Sequence, residues 1–283
     1  MALALDELIS DVVELVTLPE ICLKVTKMVE DPDVTVDDIG KVISQDPSLT
    51  LKILKLSNSA MYGFEHRIDT VTRAITLIGT RQVRDLVLAA SAFDTFKGIS
   101  NSLITMEDFW YHSILCGLAA NQLTKICGLR NADGLFVAGL LHDIGQLIEF
   151  NQMPEQSQQA ILLTMEGPEE YELFQAEDKL IGFNHMDVGE RIAESWKLPP
   201  YMKNCIGYHH HPADAPDFKQ EVSIVHIANT IAVLAELNTD DSELAPAIDD
   251  FAWQQTGLDS SVYNTVIDSI LQDYENVEKL LNL

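Results

Sequence analysis

The chain has 283 residues, with 44 acidic against 18 basic side chains, and so carries a formal net charge of −26 at pH 7. This charge repels phosphate backbones and anionic membrane surfaces, so we expect neither nucleic acid nor a membrane as a partner. Hydrophobic residues make up 47% of the sequence, which is enough for a packed core, and no apolar run is long enough to span a bilayer. The first residues carry acids and no basic segment, unlike a signal peptide. The sequence therefore predicts a cytoplasmic protein.

Helical periodicity dominates the chain. Thr35, followed by two aspartates, has the pattern of a helix N-cap, and Pro47 stands where a first-turn proline is expected. Residues 80–96 place their apolar side chains on one helical stripe. We find no segment with the alternation typical of a strand. The sequence predicts an all-α fold of many helices joined by short turns.

Charge and composition divide the chain into two regions. Residues 97–102 combine lysine, glycine, serine and asparagine between apolar helices, as linkers do. Residues 1–105 hold 15 acids and 10 bases, whereas residues 106–283 hold 29 acids and 8 bases. We therefore predict an N-terminal helical subdomain over 1–104 and a second helical domain over 105–283. The four cysteines are scattered and have apolar neighbours, which indicates buried thiols rather than disulfides.

Seven of the eight histidines lie between residues 112 and 226. His142 and Asp143 interrupt an apolar helical segment, and burying such a pair is costly unless something satisfies both groups. A divalent ion would do so, since neutral imidazole and carboxylate are both ligands of Fe, Mn or Zn. A hydrogen-bonded pair without a metal would also do so, and the pair alone does not decide between these alternatives.

The other candidates lie on separate helices. Asp108 and His112 are four residues apart and so share one helix face, although Asp108 could equally cap that helix together with Thr105. His185 follows Asn184, which we expect to cap the next helix, and His209 and His210 end a helix that begins near residue 200. His226 has the pattern of a satisfied core histidine. Converging helices can bring such residues around one internal metal site.

Together these segments resemble the HD superfamily of metal-dependent phosphohydrolases, and more closely its HDOD branch, the HD-related output domain of bacterial signalling proteins. The resemblance covers residues 18–235. It is carried by the segments LP at 18–19, DPSL at 46–49, LSNSAMYG at 56–63, AITLIG at 74–79, FWYHS at 109–113, GLLHDIG at 139–145, HMDVG at 185–189, WKLP at 196–199 and HHHP at 209–212.

The resemblance implies an N-terminal helical subdomain packed on an HD-like helical core that holds one or two divalent ions (Fe, Mn, Zn or Mg). Asp143 would bridge metals and would be the catalytic carboxylate if the protein is active. The ligands implied by the family pattern are Asp108, His112, His142, Asp143, His185, His209 and His210.

Two positions depart from the family pattern. The last metal-binding aspartate of the family falls at Asn229, and an amide is a poorer ligand than a carboxylate. The basic residue that often follows the motif glycine is Gln146, which cannot hold a phosphate by charge. The GYP segment of the cyclic-dinucleotide hydrolases is also missing after Pro212.

These departures favour a non-catalytic regulatory module of bacterial signal transduction that acts through contacts with signalling proteins and retains a metal site. The alternative is an active metal-dependent phosphohydrolase with a phosphodiester or nucleotide substrate. The sequence leaves the metal, the substrate, the partner and the oligomeric state open.

Overall fold

The computed structural model describes residues 17–281 except 60–61, 98, 100–102, 130–133 and 167–171. The N-terminal residues that argue against a signal peptide, and most of the linker predicted at 97–102, lie outside this part. The α-helices in chain order are α1 (Glu20–Glu30), α2 (Val36–Ile43), α3 (Pro47–Ser57), α4 (Val71–Ile78), α5 (Thr80–Thr95), α6 (Met106–Ile126), α7 (Leu135–Leu141), α8 (Ile144–Gln152), α9 (Pro154–Glu166), α10 (Leu173–Leu180), α11 (His185–Ser195), α12 (Pro200–Tyr208), α13 (Lys219–Glu236), α14 (Asp250–Thr256) and α15 (Tyr263–Leu281).

The all-α prediction is confirmed: the described residues form α-helices and short 3₁₀ turns, without a strand. Thr35 caps α2 with a capping box, and Asp46 caps α3 directly before Pro47. Because these caps satisfy backbone N–H groups that have no partner within the helix, the helices begin where the sequence predicts. None of the described helices is both long and apolar enough to cross a membrane.

The chain divides into two compact units, 18–97 with the residues from 269 onward, and 98–268. In the smaller unit α5 packs against α1, α3 and α4, and α2 packs against α1 and α4. Its core is largely aliphatic, with Ile43, Ile53 and Val83 fully buried, and also contains the buried ring of Phe96. The stability of this unit therefore comes from apolar burial along helical stripes.

The larger unit is built around α6, which packs along both α7 and α13. Glycines allow the helices of this unit to approach one another closely. A Cβ added at Gly139 would lie 2.9 Å from the Cys116 carbonyl oxygen, and one added at Gly145 would collide with the His185 carbonyl oxygen of α11. Helix α11 in turn packs on α12. These contacts bring the ends of α7, α11 and α12 to one place in the core.

Three of the four cysteines, Cys22, Cys116 and Cys205, are buried free thiols as predicted, whereas Cys127 is half-buried. Burial raises the pKa of the Cys22 thiol to about 11 and that of Cys205 well above its ordinary value. These thiols stay protonated at neutral pH and therefore pack as small apolar groups.

Candidate metal centre

A cluster of polar side chains lies inside the larger unit. Its members come from four helix ends and one helix face. His142 and Asp143 occupy the junction between α7 and α8. Asn184 caps α11, accepting hydrogen bonds from the Met186 and Asp187 backbone N–H groups, and so fixes His185 in the first turn. His209 is the C-cap of α12. Together with His112 on α6, these residues meet inside the unit.

Asp143 is the centre of this cluster. Its Oδ2 lies 3.3 Å from His142 Nε2 and 3.9 Å from His112 Nε2. Its Oδ1 lies 3.4 Å from His185 Nε2 and 3.3 Å from His209 Nε2. His142, His185 and His209 have no solvent exposure. The single carboxylate therefore faces four imidazoles, and three of them are sealed from water.

Each of the four imidazoles makes a hydrogen bond through Nδ1 that points away from Asp143. His142 Nδ1 donates to the Gly139 carbonyl (2.7 Å), and His209 Nδ1 donates to the Ile206 carbonyl (3.0 Å). His185 Nδ1 lies 2.6 Å from Glu177 Oε2, and His112 Nδ1 lies 3.0 Å from Glu236 Oε1. A carbonyl or carboxylate oxygen accepts, so each Nδ1 carries hydrogen, and in the neutral form of each ring the Nε2 lone pair points toward Asp143.

This arrangement fits a divalent cation. Lone pairs on Nε2 and on a carboxylate oxygen repel one another unless a positive charge lies between them. His142 Nε2 and Asp143 Oδ1 are buried and have no hydrogen-bond partner. Outward Nδ1–H bonds to carboxylates and carbonyls are the usual second shell of metal-ligating histidines. The N and O donors suit Fe, Mn or Zn.

The ligand atoms form two groups, His112 with His142 and Asp143, and His185 with His209 and His210. Within each group the atoms lie within 4.8 Å of one another. His210 also stacks on Phe174, with ring centroids 4.7 Å apart, which holds its imidazole in place. The two groups could hold one or two ions.

Protonation in the metal-free protein follows from burial and from Asp143. Burial opposes charge on His142, but the adjacent Asp143 outweighs it and holds the pKa of His142 well above its usual value. Burial likewise opposes ionisation of Asp143, yet His142 and the neighbouring imidazoles hold its pKa well below the usual range. Burial lowers the pKa of His209 to about 4 and that of His210 well below its usual value. Burial also opposes charge on His185, but Glu177 and Asp143 outweigh it and raise the pKa of His185. His209 and His210 therefore favour the neutral form, which is the form that binds metal, whereas His142 and His185 must lose a proton to bind it.

Asp108 is the one predicted ligand that the structure does not bring into either group. Its Oδ2 accepts hydrogen bonds from the Thr105 backbone N–H (3.1 Å) and hydroxyl (2.6 Å), which closes the capping box of α6. The capping alternative that the sequence left open is the role seen here. Asp108 is exposed at the helix start, whereas His112 lies one turn further along, next to Asp143.

The structure also shows where the two residues that depart from the family pattern, Asn229 and Gln146, lie. Asn229 lies on α13 and is buried, and it lines a cavity together with His210 and His226. His226 donates from Nδ1 to the His209 carbonyl (2.7 Å) and accepts at Nε2 from the Asp249 backbone N–H (3.0 Å), so both of its nitrogens are satisfied. Gln146 is buried on α8.

Sequence reasoning missed Glu177 and Glu236, the two carboxylates that orient His185 and His112. Glu177 also accepts the His185 backbone N–H at 3.0 Å. Glu236 is 124 residues away from His112 in the chain. No local spacing marks either residue, although their position on helices beside ligands would identify them once the topology is known.

Comparison with known proteins agrees with this architecture. A relative from Treponema pallidum (strain Nichols) is 30% identical over 216 residues, which is 75% of this chain, and the chain spans 41% of that relative's length. An HDOD domain protein from Geobacter sulfurreducens has a TM-score of 0.77 at 26% identity, covering 98% of this chain and 97% of that one. A Shewanella amazonensis SB2B protein, named provisionally as a phosphohydrolase, has a TM-score of 0.75 at 24% identity, covering 97% of both chains.

A family model matches most of the chain and agrees with the resemblance found in the sequence. The HDOD domain model matches residues 15–212, which include α1 to α12 and every histidine of the metal centre. With the helical fold and the His–Asp cluster both in place, the chain belongs to the HDOD family.

Proposed function

We propose that this protein is a cytoplasmic regulatory HDOD module of bacterial signal transduction that holds a divalent metal and acts through contacts with signalling proteins. The metal-holding role is supported by one observation: four imidazoles direct Nε2 at Asp143 while their Nδ1–H groups are used elsewhere. The regulatory role is supported by the absence of Lys and Arg from two described places where a substrate phosphate could be held. Gln146 follows the motif glycine, and neither Lys nor Arg lines the cavity beside His210.

The chain's own residues would hold and orient the ion. His112, His142 and Asp143 form one set of ligands, and His185, His209 and His210 form the other. Glu177 and Glu236 fix the rings of His185 and His112, and such outer partners are typically worth about 10–100-fold in metal affinity. A bound divalent ion would neutralise the buried carboxylate and supply Lewis acidity. In the regulatory role it would fix the relative positions of α7, α11 and α12.

Metal content of the protein, purified without chelators or an immobilised-metal step, tests this proposal. We expect one or two ions per chain and their loss in Asp143→Ala. Asp108→Ala is the matched control, because it removes a carboxylate that only caps α6. It should keep the metal and cost about 1 kcal/mol of stability. Sub-stoichiometric metal in the wild type, or equal metal in wild type and Asp143→Ala, would contradict the proposal.

An active phosphohydrolase is the second candidate. It is favoured by the two adjoining ligand groups, which keep the family's histidines and Asp143 in contact. A phosphodiester and nucleotide panel with added Mn or Fe separates the candidates. Turnover that disappears in Asp143→Ala would favour the enzyme, whereas bound metal without turnover favours the regulatory module.

Asn229 provides a further test. If it occupies the position of the family's last metal-binding aspartate, Asn229→Asp should raise metal affinity, since a carboxylate is the stronger ligand. An unchanged affinity, measured by competition with a chromogenic chelator, would show that residue 229 is not a ligand position.

A further inference from the structure

The carboxyl group of Glu149, on α8, lies in the core of the larger unit. Its side chain has no solvent exposure, and neither oxygen has a hydrogen-bond donor among the residues that the structure describes. Most buried polar groups in proteins are hydrogen-bonded, so such a group calls for an explanation. A buried carboxylate with neither a donor nor a counter-ion is especially costly. The position of Glu149 therefore disfavours an isolated carboxylate.

The groups that act most strongly on Glu149 are acids. They are Glu177 on α10, Asp187 on α11 and Asp143 in the metal centre, and Glu177 lies within hydrogen-bonding reach. Burial and these acids raise the pKa of Glu149 well above its ordinary value, which favours the protonated form. A protonated carboxyl group has an O–H donor, which a carboxylate lacks.

Glu177 is the acceptor within reach of that donor. Its Oε2 accepts the His185 backbone N–H at 3.0 Å and lies 2.6 Å from His185 Nδ1. Both contacts use the same oxygen, and a carboxylate has about four lone-pair sites, so Glu177 can accept a further hydrogen bond. Two facing carboxylates are both acceptors, and a hydrogen bond between them forms only when one of them carries a proton.

We propose that Glu149, as a neutral carboxylic acid, donates a hydrogen bond to Glu177 and is thereby a positioning residue for His185. The bond satisfies the buried acid and holds the carboxylate that orients the His185 ring. That ring places Nε2 3.4 Å from Asp143 Oδ1. Outer partners that hold a metal ligand in this way tune metal affinity. The effect on the metal rests on the proposed metal-holding function, whereas the hydrogen bond itself does not require the metal.

Two substitutions separate the hydrogen bond from the bulk of the side chain. Glu149→Gln keeps the shape and an N–H donor, whereas Glu149→Met keeps the length and has no donor. We expect Glu149→Met to weaken metal binding about tenfold, at the lower end of the usual effect of an outer partner, and Glu149→Gln to stay close to wild type. Competition with a chromogenic chelator measures the affinity. Urea unfolding of each variant checks that folded proteins are compared.

Spectra of the metal-free protein test the hydrogen bond independently of metal content. The infrared spectrum of the wild type at pH 7 should contain the C=O stretch of a neutral carboxylic acid that is lost in Glu149→Gln. The His185 Nδ1–H proton resonance, assigned through its absence in His185→Gln, should move in Glu149→Met and stay in place in Glu149→Gln. Glu155→Met makes the same replacement at an exposed position of α9 and should change neither the resonance nor the metal affinity.

The proposal is overturned if the wild type lacks the neutral-acid band, or if Glu149→Met leaves the His185 resonance in place. It is also overturned if Glu149→Gln moves that resonance as far as Glu149→Met does, because an ionised Glu149 that only repels Glu177 predicts equal effects of the two variants. The expected spectra in a wild type that binds no metal would support the hydrogen bond and contradict the proposed metal-holding function alone.

Discussion

Glu149 on α8 is a fully buried acid, and neither of its carboxylate oxygens has a hydrogen-bond donor. Burial and the neighbouring Glu177 raise its pKa well above the ordinary value of 4.5. Glu177 accepts two hydrogen bonds from His185, one from its backbone N–H and one from Nδ1. Two adjacent buried carboxylates do not both ionise readily, and the raised pKa of Glu149 favours its protonated form.

Replacing Glu149 by glutamine should therefore change how stability depends on pH. A raised folded-state pKa means that the group supports folding at low pH, and that this contribution is lost as the pH rises from 4.5 toward the folded value. Relative to wild type, metal-free Glu149→Gln should gain stability over that window, by at most about 1.4 kcal/mol per pH unit. Urea unfolding at several pH values measures the difference. The exposed Glu155→Gln should show no such trend, and a parallel pH dependence of Glu149→Gln and wild type would mean that Glu149 is ionised in the fold.

At the scale of elements, the closest contact that shapes the metal centre is between α8 and α11. Gly145 faces the His185 backbone so closely that a Cβ would collide with the carbonyl oxygen, and it would lie 2.9 Å from the Gly189 N atom. Both partners are main chain and cannot rotate away. The separation of these two helices sets the distance between Asp143 and His185.

Gly145→Ala should force the two helices apart, at a cost of about 1–3 kcal/mol or more, and should lower metal affinity as well. Chemical unfolding and metal titration measure the two effects. Gly207→Ala on α12 is the milder control, since its added Cβ would be nearest to side-chain atoms of Glu190, at 3.2 Å, and not to backbone. Alanine is the better helix former there, so this variant should stay close to wild type. Equal effects of the two substitutions on stability and metal affinity would show that these properties do not depend on the close approach of α8 and α11.

Helix starts were the most predictable elements, because a cap is a local property. Thr105, Asn184 and Pro47 stand within four residues of the N–H groups or turns that they complete. The grouping of the histidines was suggested by their order and by the family resemblance. Local sequence could not reveal Glu236 beside His112, or the cavity between α10, α12 and α13, since both depend on how distant helices pack.

At the scale of the whole molecule, the acidic side chains that give the net charge of −26 repel one another, and folding brings them closer together. Raising sodium chloride from about 0.01 M to about 1 M shortens the screening length from about 30 to about 3 Å. We expect Tm at pH 7 to rise by several degrees over this range. The salt effect should shrink near pH 5, close to the pI of 4.4. A Tm that falls with salt at pH 7 would show that attractive ion pairs outweigh the repulsion.

His226 links the cavity and the metal centre mechanically. One side of its ring bonds the backbone of Asp249, in the cavity wall, and the other side bonds the backbone of His209, in the centre. The ring is buried between them, and its two hydrogen bonds fix its orientation. The wall segment therefore cannot shift outward without breaking one of these two bonds or pulling the main chain that carries His209. The cavity wall and the metal centre are thereby joined through a single side chain.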